Sequence, residues 1–189
     1  MSFGGRKLSG MVWLGMVMIL CLVLSTATAQ AAGLPQKGGT LPAFHLPAPA
    51  SENDQKYLGI NTPTFQLKDV QCQVLLVEIL GAYCPLCYQQ APLFTKLFAR
   101  INKRNLGDKV KMLGVAIGAT PMEVELLRKN GSYEFPVVQD ASFAVHKLLG
   151  EPRTPFTMLI GKDGKVLYAH LGVIEDVDAF FQVIQDLVK

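Results

Sequence analysis

The sequence predicts an α/β fold in which a central mixed β-sheet carries helices on both faces. Apolar runs of strand type alternate with segments of helical periodicity in the order β-α-β-α-β-α, and two strands and a last helix follow. The dipeptide Asp163-Gly164 separates those two strands and is typical of a tight hairpin turn, so it predicts an antiparallel pair at the end of the sheet. With 189 residues, half of them hydrophobic, the chain is long enough for one domain with a substantial core.

Residues 1–31 have the pattern of a secretory signal peptide. Arg6 and Lys7 give a positively charged start, and residues 11–24 form an uncharged apolar run, which is short for a membrane span. Small residues follow and are spaced for cleavage after Ala29 or Ala31. The sequence therefore predicts export to the periplasm or another extracytoplasmic compartment, where the environment is oxidising.

Two alternatives for this leader stay open. It could be retained as a membrane anchor, which would give the protein a transient or permanent membrane association. It could instead be lipidated at Cys21, although Leu20 is bulky for the residue before a lipidated cysteine.

The charge balance argues against a nucleic-acid-binding protein. The formal net charge is +3, but Arg6 and Lys7 belong to the predicted leader, and without them 16 basic residues stand against 15 acidic ones. Nucleic-acid-binding domains are usually strongly basic, so no nucleic-acid partner is expected.

Residues 32–63, rich in Pro, Gly and Ala, predict an extended N-terminal arm with one or two short strands ahead of a domain at residues 64–189. Cys72 follows in the turn before the first strand of the main sheet. It leaves an odd number of cysteines, three, once the leader is removed. We interpret it as an unpaired thiol, and a third redox thiol or a link to another chain is the alternative.

Each element of the domain has its own local signal. The first strand, residues 74–80, ends at Gly81 and leads through Cys84-Pro85-Leu86-Cys87 into a helix over residues 86–101 that Pro92 should kink. A strand at 110–117 follows, and then a helix from Thr120 to Gly131 that begins with a capping box between Thr120 and Glu123. A short strand ends at Asp140, whose carboxylate caps a helix at 142–149. The last elements are a strand after Pro155, a return strand at 166–170 and a helix at 176–188.

A strand that leads into a C-x-x-C at the start of a helix resembles the thioredoxin superfamily. Glu78 lies six residues before Cys84, where that superfamily carries a buried acid, and Tyr83 occupies its usual tryptophan position. Pro92 and Pro155 match its helix-kinking proline and its cis-proline. The resemblance covers the chain from about Phe65 onward and implies a thioredoxin-like fold with an N-terminal extension, similar to the exported TlpA/ResA group.

The chemistry expected at this motif is thiol–disulfide exchange. The first turn of a helix has unpaired N–H groups and the positive end of the helix dipole, so a thiolate at Cys84 is stabilised as a nucleophile. Cys87, one turn deeper, is then the thiol that resolves the mixed disulfide. Glu78 is the candidate proton acceptor for Cys87, because burial raises the pKa of a carboxyl group; an acid facing solvent is the alternative for this residue.

The resemblance also implies a surface for the substrate. In the superfamily the cis-proline, here Pro155, lies beside the C-x-x-C and leaves the backbone of the preceding residue, here Thr154, free to pair with an extended substrate segment. Tyr83 and Pro85 flank the nucleophile, so we expect them to contact the substrate as well.

These residues predict an exported thiol–disulfide oxidoreductase without a cofactor, acting on disulfide-bearing proteins and recharged by a membrane thiol electron donor. Pro85-Leu86 carries no charge or histidine between the cysteines, which favours a reductase over a Dsb-type oxidant. The alternatives are such an oxidant, a module that binds clients or copper without turnover, and a peroxiredoxin-like peroxidase, whose Thr-x-x-Cys pattern has Gly81 here at the threonine position. No metal site is expected, because His45, His146 and His170 are scattered.

Overall fold

The structure is a computed structural model that describes Met1, residues 33–131 and residues 133–189. The predicted leader, including its cleavage sites, lies outside the described residues. Within the part of the chain that is described, no helix is both long enough and apolar enough to cross a membrane. The strands are β1 (Leu46–Pro47), β2 (Thr64–Phe65), β3 (Val74–Gly81), β4 (Val110–Ile117), β5 (Val137–Asp140), β6 (Phe156–Gly161) and β7 (Val166–Leu171), and the helices are α1 (Glu52–Leu58), α2 (Pro85–Lys103), α3 (Pro121–Gly131), α4 (Ala144–Leu148) and α5 (Val177–Leu187).

Five strands form the main sheet in the order β5-β4-β3-β6-β7. Strand β3 lies at its centre, parallel to β4 and antiparallel to β6, and β4 is also parallel to β5. Strands β6 and β7 form the predicted antiparallel pair. The mixed sheet and the order of its elements are therefore confirmed.

The sheet separates two layers of core. Helices α2, α3 and α5 pack on one face, while α4 and the N-terminal arm pack on the other. Successive side chains of β3 point to opposite faces, so Leu76 and Leu80 pack in the first layer, and Leu75, Val77 and Ile79 in the second. This alternation directs Glu78 to the face covered by α2, the helix that carries both cysteines of the motif.

The N-terminal arm contains more structure than the expected extended chain. Strands β1 and β2 pair antiparallel, but a seven-residue helix, α1, lies between them. Its only buried apolar residue is Leu58, so the segment lacks the hydrophobic periodicity that predicts a helix. The usable signals were the helix boundaries, with Ser51 in the N-cap position and Gly59 ending the helix at a φ of 72°.

Two polar contacts connect helix α1 of the N-terminal arm to the rest of the domain. The Tyr57 hydroxyl accepts a hydrogen bond of 2.9 Å from the backbone N–H of Met112 in β4. Asp54 forms a half-buried ion pair with Arg128 of α3, with 2.6 Å between Oδ2 and Nη1. The first contact satisfies a backbone donor of β4 before its pairing with β5 begins at Gly114.

We expect Tyr57→Phe to lower the free energy of unfolding by about 1 to 3 kcal/mol, because it leaves the Met112 N–H without an acceptor. Urea unfolding followed by circular dichroism measures the change. Tyr168→Phe is the matched control, since its hydroxyl has no hydrogen-bond partner among the described residues and its removal should change stability by less than about 0.5 kcal/mol. Equal effects of the two substitutions would contradict this role of the Tyr57 hydroxyl.

The local signals of the sequence have their structural counterparts. Thr120 and Glu123 exchange hydrogen bonds as a capping box at the start of α3, and Gly164 has the positive φ of 79° that the hairpin requires. The Asp140 carboxylate accepts from the N–H of His146 in the first turn of α4 at 2.9 Å. Helix α4 is shorter than the predicted 142–149, because Phe143 before it has a left-handed backbone conformation.

Candidate active site

The end of β3 and the start of α2 place Cys84 at a helix N-terminus. The chain turns at Gly81, whose carbonyl accepts a 3.2 Å hydrogen bond from the Cys84 N–H. Cys84 is the N-cap residue of α2, and Pro85 fills the first helical position, where a missing N–H costs nothing. The Cys87 N–H donates to Cys84 Sγ at 3.2 Å. The sulfur therefore takes the place of the usual capping oxygen and receives one of the free donors of the helix.

The two cysteines have different environments. Cys84 is half-buried beside Tyr83, which is 77% exposed, while Cys87 is only 1% exposed. Burial raises the pKa of the Cys87 thiol, and the hydrogen bond with Cys84 and the charge of Glu78 raise it further. Cys84 is thus the sulfur that an incoming disulfide can reach, and Cys87 needs a proton acceptor before it can act as a nucleophile.

Glu78 lies beneath the motif, in the middle of the central strand. It is fully buried, so the alternative of a solvent-facing acid is excluded. Its Oε1 accepts a 2.8 Å hydrogen bond from Gln90, and its Oε2 has no partner among the described residues. Burial raises the pKa of this carboxyl to about 8, against the smaller opposing effect of the Gln90 hydrogen bond. A carboxyl group with such a pKa exchanges protons near neutral pH.

Gln90 is a site residue that the sequence analysis missed. It lies on α2 one turn after Cys87 and is fully buried. Besides Glu78 it contacts Thr157 of β6 and the backbone of Ile174. The signal in the sequence was the helical spacing of three from Cys87, which places residue 90 on the buried face of α2.

Thr154 and Pro155 lie against the nucleophile, as the sequence analysis expected. The peptide bond between them is cis, and Cys84 Sγ lies 3.5 Å from the Thr154 carbonyl oxygen. The Gly172 N–H donates to the Pro155 carbonyl at 2.9 Å, which ties the loop after β7 to the same place. The Thr154 N–H has no hydrogen-bond partner among the described residues.

The exposed rim of the site joins two elements. The Tyr83 hydroxyl donates a 2.7 Å hydrogen bond to Oε1 of Glu123, the residue that also completes the capping box of α3. This bond raises the pKa of the Tyr83 hydroxyl, and the hydrogen bonds from Thr120 and Tyr83 lower the pKa of Glu123. Tyr83 was expected at the site, but Glu123 had only a capping role in the sequence, because the 39 residues between them hide their contact.

Cys72 lies at the opposite end of β3 from the motif. Its thiol is half-buried, and burial raises its pKa to about 11, so it is protonated at neutral pH. A protonated thiol is a poor nucleophile, and Cys72 forms no disulfide with another cysteine of the described residues. Among the described residues, no group of three or more His, Cys, Asp or Glu side chains is arranged to hold a metal ion.

Comparison with known proteins identifies a matching family model, related sequences and similar solved structures. The Redoxin family model matches residues 36–184. The thiol-disulfide oxidoreductase ResA of Halalkalibacterium halodurans is 23% identical over 124 residues, which are 65% of this chain and 68% of that protein. A structure from Chlorobium tepidum described as a thiol:disulfide interchange protein DsbE has a TM-score of 0.65 and 23% identity, covering 82% of this chain and 99% of the other. A secreted disulfide oxidoreductase of Mycobacterium tuberculosis has a TM-score of 0.57 and 15% identity, covering 76% and 95%.

Proposed function

The chain belongs to the Redoxin family, within the thioredoxin superfamily, and on this premise we propose that it is an exported thiol–disulfide oxidoreductase that reduces protein disulfides. One observation carries the proposal. An accessible sulfur, Cys84, receives a helix N-terminal N–H, and the buried thiol of Cys87 lies in the next turn, within the electrostatic influence of the Glu78 carboxyl group. This arrangement supplies a nucleophile, a resolving thiol and a proton acceptor in one place.

The reaction has two exchange steps. The Cys84 thiolate attacks a client disulfide, a mixed disulfide forms, and one client sulfur leaves as a thiolate. Cys87 then gives its proton to Glu78, directly or through a water molecule, and attacks Cys84 Sγ, which releases the second client sulfur. Two electrons pass from the dithiol to the client, and the protein is left with a Cys84–Cys87 disulfide.

Protein clients suit this site better than small molecules. Cys84 lies on an open surface between the exposed Tyr83 and Pro85, and the Thr154 N–H beside it is free to pair with an extended peptide. By contrast, the cavity of about 270 Å³ between the arm and the β6–β7 hairpin is lined by neither cysteine of the motif. We propose that clients bind along Tyr83, Pro85, Thr154 and Pro155.

We infer the direction of electron flow from the two residues between the cysteines. Pro85 and Leu86 are uncharged, so they add no stabilisation to the Cys84 thiolate beyond that of the helix terminus. A less stabilised thiolate makes the dithiol a stronger reductant. A protein that reduces disulfides outside the cytoplasm must regain electrons, and we propose a membrane thiol electron donor as their source.

We expect a reduction potential near or below that of thioredoxin, roughly −270 mV, for the Cys84–Cys87 pair. Equilibration of the full chain in thiol redox buffers, followed by trapping of free thiols and mass spectrometry, measures it. Cys72→Ser is the control, and its potential should equal that of the unsubstituted protein. A value near −120 mV, roughly that of DsbA, would overturn the reductase direction, and the absence of a reversible pair would overturn the enzyme itself.

A further inference from the structure

The side chain of Gln90 is held by three hydrogen bonds from three parts of the fold. Its Nε2 donates to Glu78 Oε1 of β3 at 2.8 Å and lies 3.4 Å from Thr157 Oγ1 of β6. Its Oε1 accepts from the backbone N–H of Ile174, in the loop before α5, at 2.9 Å. Both amide hydrogens and the carbonyl oxygen thus have partners in a fully buried place, so the side chain is fixed in one orientation.

That orientation is set by the backbone rather than by Glu78. The Ile174 N–H can only donate, so the Gln90 carbonyl must face it and the amide nitrogen must face Glu78. An amide nitrogen can only donate, and it therefore needs an unprotonated oxygen at Glu78 Oε1. The second oxygen, Oε2, has no partner among the described residues. The two oxygens of one carboxyl group are thereby made inequivalent.

We propose that Gln90 is a positioning residue for the resolving step: it holds Glu78 Oε1 as a hydrogen-bond acceptor, so that Oε2 is the oxygen that takes the proton of Cys87. The inference rests on the proposed function and assigns Gln90 a part in it. Because Gln90 and Cys87 lie one turn apart on α2, the same helix fixes both the carboxyl group and the thiol that it serves.

At the mixed disulfide, Glu78 Oε2 accepts the proton of Cys87 Sγ directly or through a water molecule, and the resulting thiolate forms a bond with Cys84 Sγ. The bond between Cys84 Sγ and the client sulfur breaks, and the client leaves as a thiolate with the electron pair. The proton on Oε2 is then released to the departing client thiolate or to water, which restores the carboxylate.

Few titratable groups other than Glu78 lie near enough to produce a pH dependence of the resolving step. Among the described residues, Cys87 of α2 and Tyr133, after α3, are the titratable groups that interact electrostatically with Glu78. On the flanking strands its partners in register are Gly114 of β4 and Thr157 of β6, neither of which titrates. Burial raises the pKa of the Tyr133 hydroxyl far beyond the neutral range, so Tyr133 does not titrate together with Glu78.

Gln90→Met tests the proposal, because methionine has a similar volume and removes every hydrogen bond of the amide. The Gln90 amide stabilises the ionised form of Glu78 by donating a hydrogen bond to it. Its loss should therefore raise the pKa of Glu78 by about one pH unit or more. The resolving step should slow about tenfold at pH 7 and approach the wild-type rate at higher pH. Gln89→Met makes the same change at the exposed neighbouring position and should leave both quantities unchanged.

Two measurements on the full chain separate the inference from the proposed function. Carbon NMR of the Glu78 carboxyl in the reduced protein gives its pKa without any turnover, and rapid quenching of a mixed disulfide preformed at Cys84 gives the rate of resolution at each pH. An unchanged pKa and pH profile in Gln90→Met, with normal disulfide formation, would overturn the role of Gln90 alone. A wild-type protein that forms no Cys84–Cys87 disulfide would overturn both.

A second variant covers the case in which the methionine variant does not fold. Gln90→Glu keeps an acceptor for the Ile174 N–H but places a second carboxyl group beside Glu78. Two carboxyl groups at hydrogen-bonding distance titrate as a coupled pair, and one of the two pKa values of that pair is raised. The midpoint of the resolving step should again move to higher pH, and a profile that superimposes on the wild type would overturn the proposal.

Discussion

Cys87→Ser should stop multiple-turnover disulfide reduction and accumulate a covalent adduct between Cys84 and the client. The accessible Cys84 sulfur still attacks in this variant, but a serine hydroxyl at the buried position cannot displace the client sulfur. Turnover should fall by at least about a thousandfold, as it does when one member of a catalytic set that acts as a unit is removed. Gel mobility without reductant, and mass spectrometry of the adduct, measure the trapped species.

Three companion variants make this result specific. Cys84→Ser should lose both turnover and the adduct, because Cys87 is only 1% exposed and cannot meet a protein disulfide. Cys72→Ser should keep wild-type turnover, since that thiol lies at the far end of β3 and is protonated at neutral pH. Adduct formation through Cys87 would reverse the roles of the two cysteines. Client binding that survives Cys87→Ser without an accumulating disulfide would indicate a binding module.

How well the sequence predicted each element of the fold depended on how far apart in the sequence its interacting residues lie. Strands and helices whose signals lie within a few residues, such as β4 and the Asp163-Gly164 hairpin, have the predicted positions. Helix α1 was missed because tertiary contacts stabilise it: Tyr57 contacts Met112 of β4 and Asp54 contacts Arg128, and each pair is more than 50 residues apart in the sequence. Such contacts leave no periodic pattern in the seven residues concerned.

The same distinction between local signals and distant contacts applies to the residues of the candidate site. The positions of Cys84, Cys87, Glu78 and Pro155 followed from spacing and from the resemblance to a known superfamily. Gln90 was missed because glutamine on a helix is usually exposed, and its burial becomes evident only once Glu78 and Ile174 are placed opposite it. Glu123 shows the same limit, since its contact with Tyr83 joins two helix starts.

Glu78→Gln should change how the stability of the reduced protein depends on pH. The pKa of Glu78 is about 8 in the folded protein, against a usual value near 4.5. Between those two values the folded chain holds a proton that the unfolded chain has lost, so the free energy of unfolding falls as pH rises. The contribution is fully present below pH 4.5 and is lost by about pH 8. Its size is about 3 to 5 kcal/mol, from 1.36 kcal/mol per pH unit.

The variant removes this loss, because an amide does not titrate. Its unfolding free energy should be nearly flat between pH 5 and pH 8, whatever its absolute value, and the amide nitrogen that replaces Oε2 has no hydrogen-bond acceptor there among the described residues. Urea unfolding of both proteins at half-unit pH intervals under reducing conditions gives the two curves. Glu125→Gln, an exposed acid on α3, is the control and should keep the wild-type slope.

The chosen window isolates Glu78 from the other groups with shifted pKa values. Glu123 and Asp186 have lowered pKa values, so their contributions are lost with falling pH, below the window. Cys87 and Cys72 have raised values that act above pH 8. A wild-type curve as flat as that of Glu78→Gln would show that the carboxyl group is ionised in the folded protein throughout. In that case Glu78 could not alternate between the two protonation states that the resolving step requires.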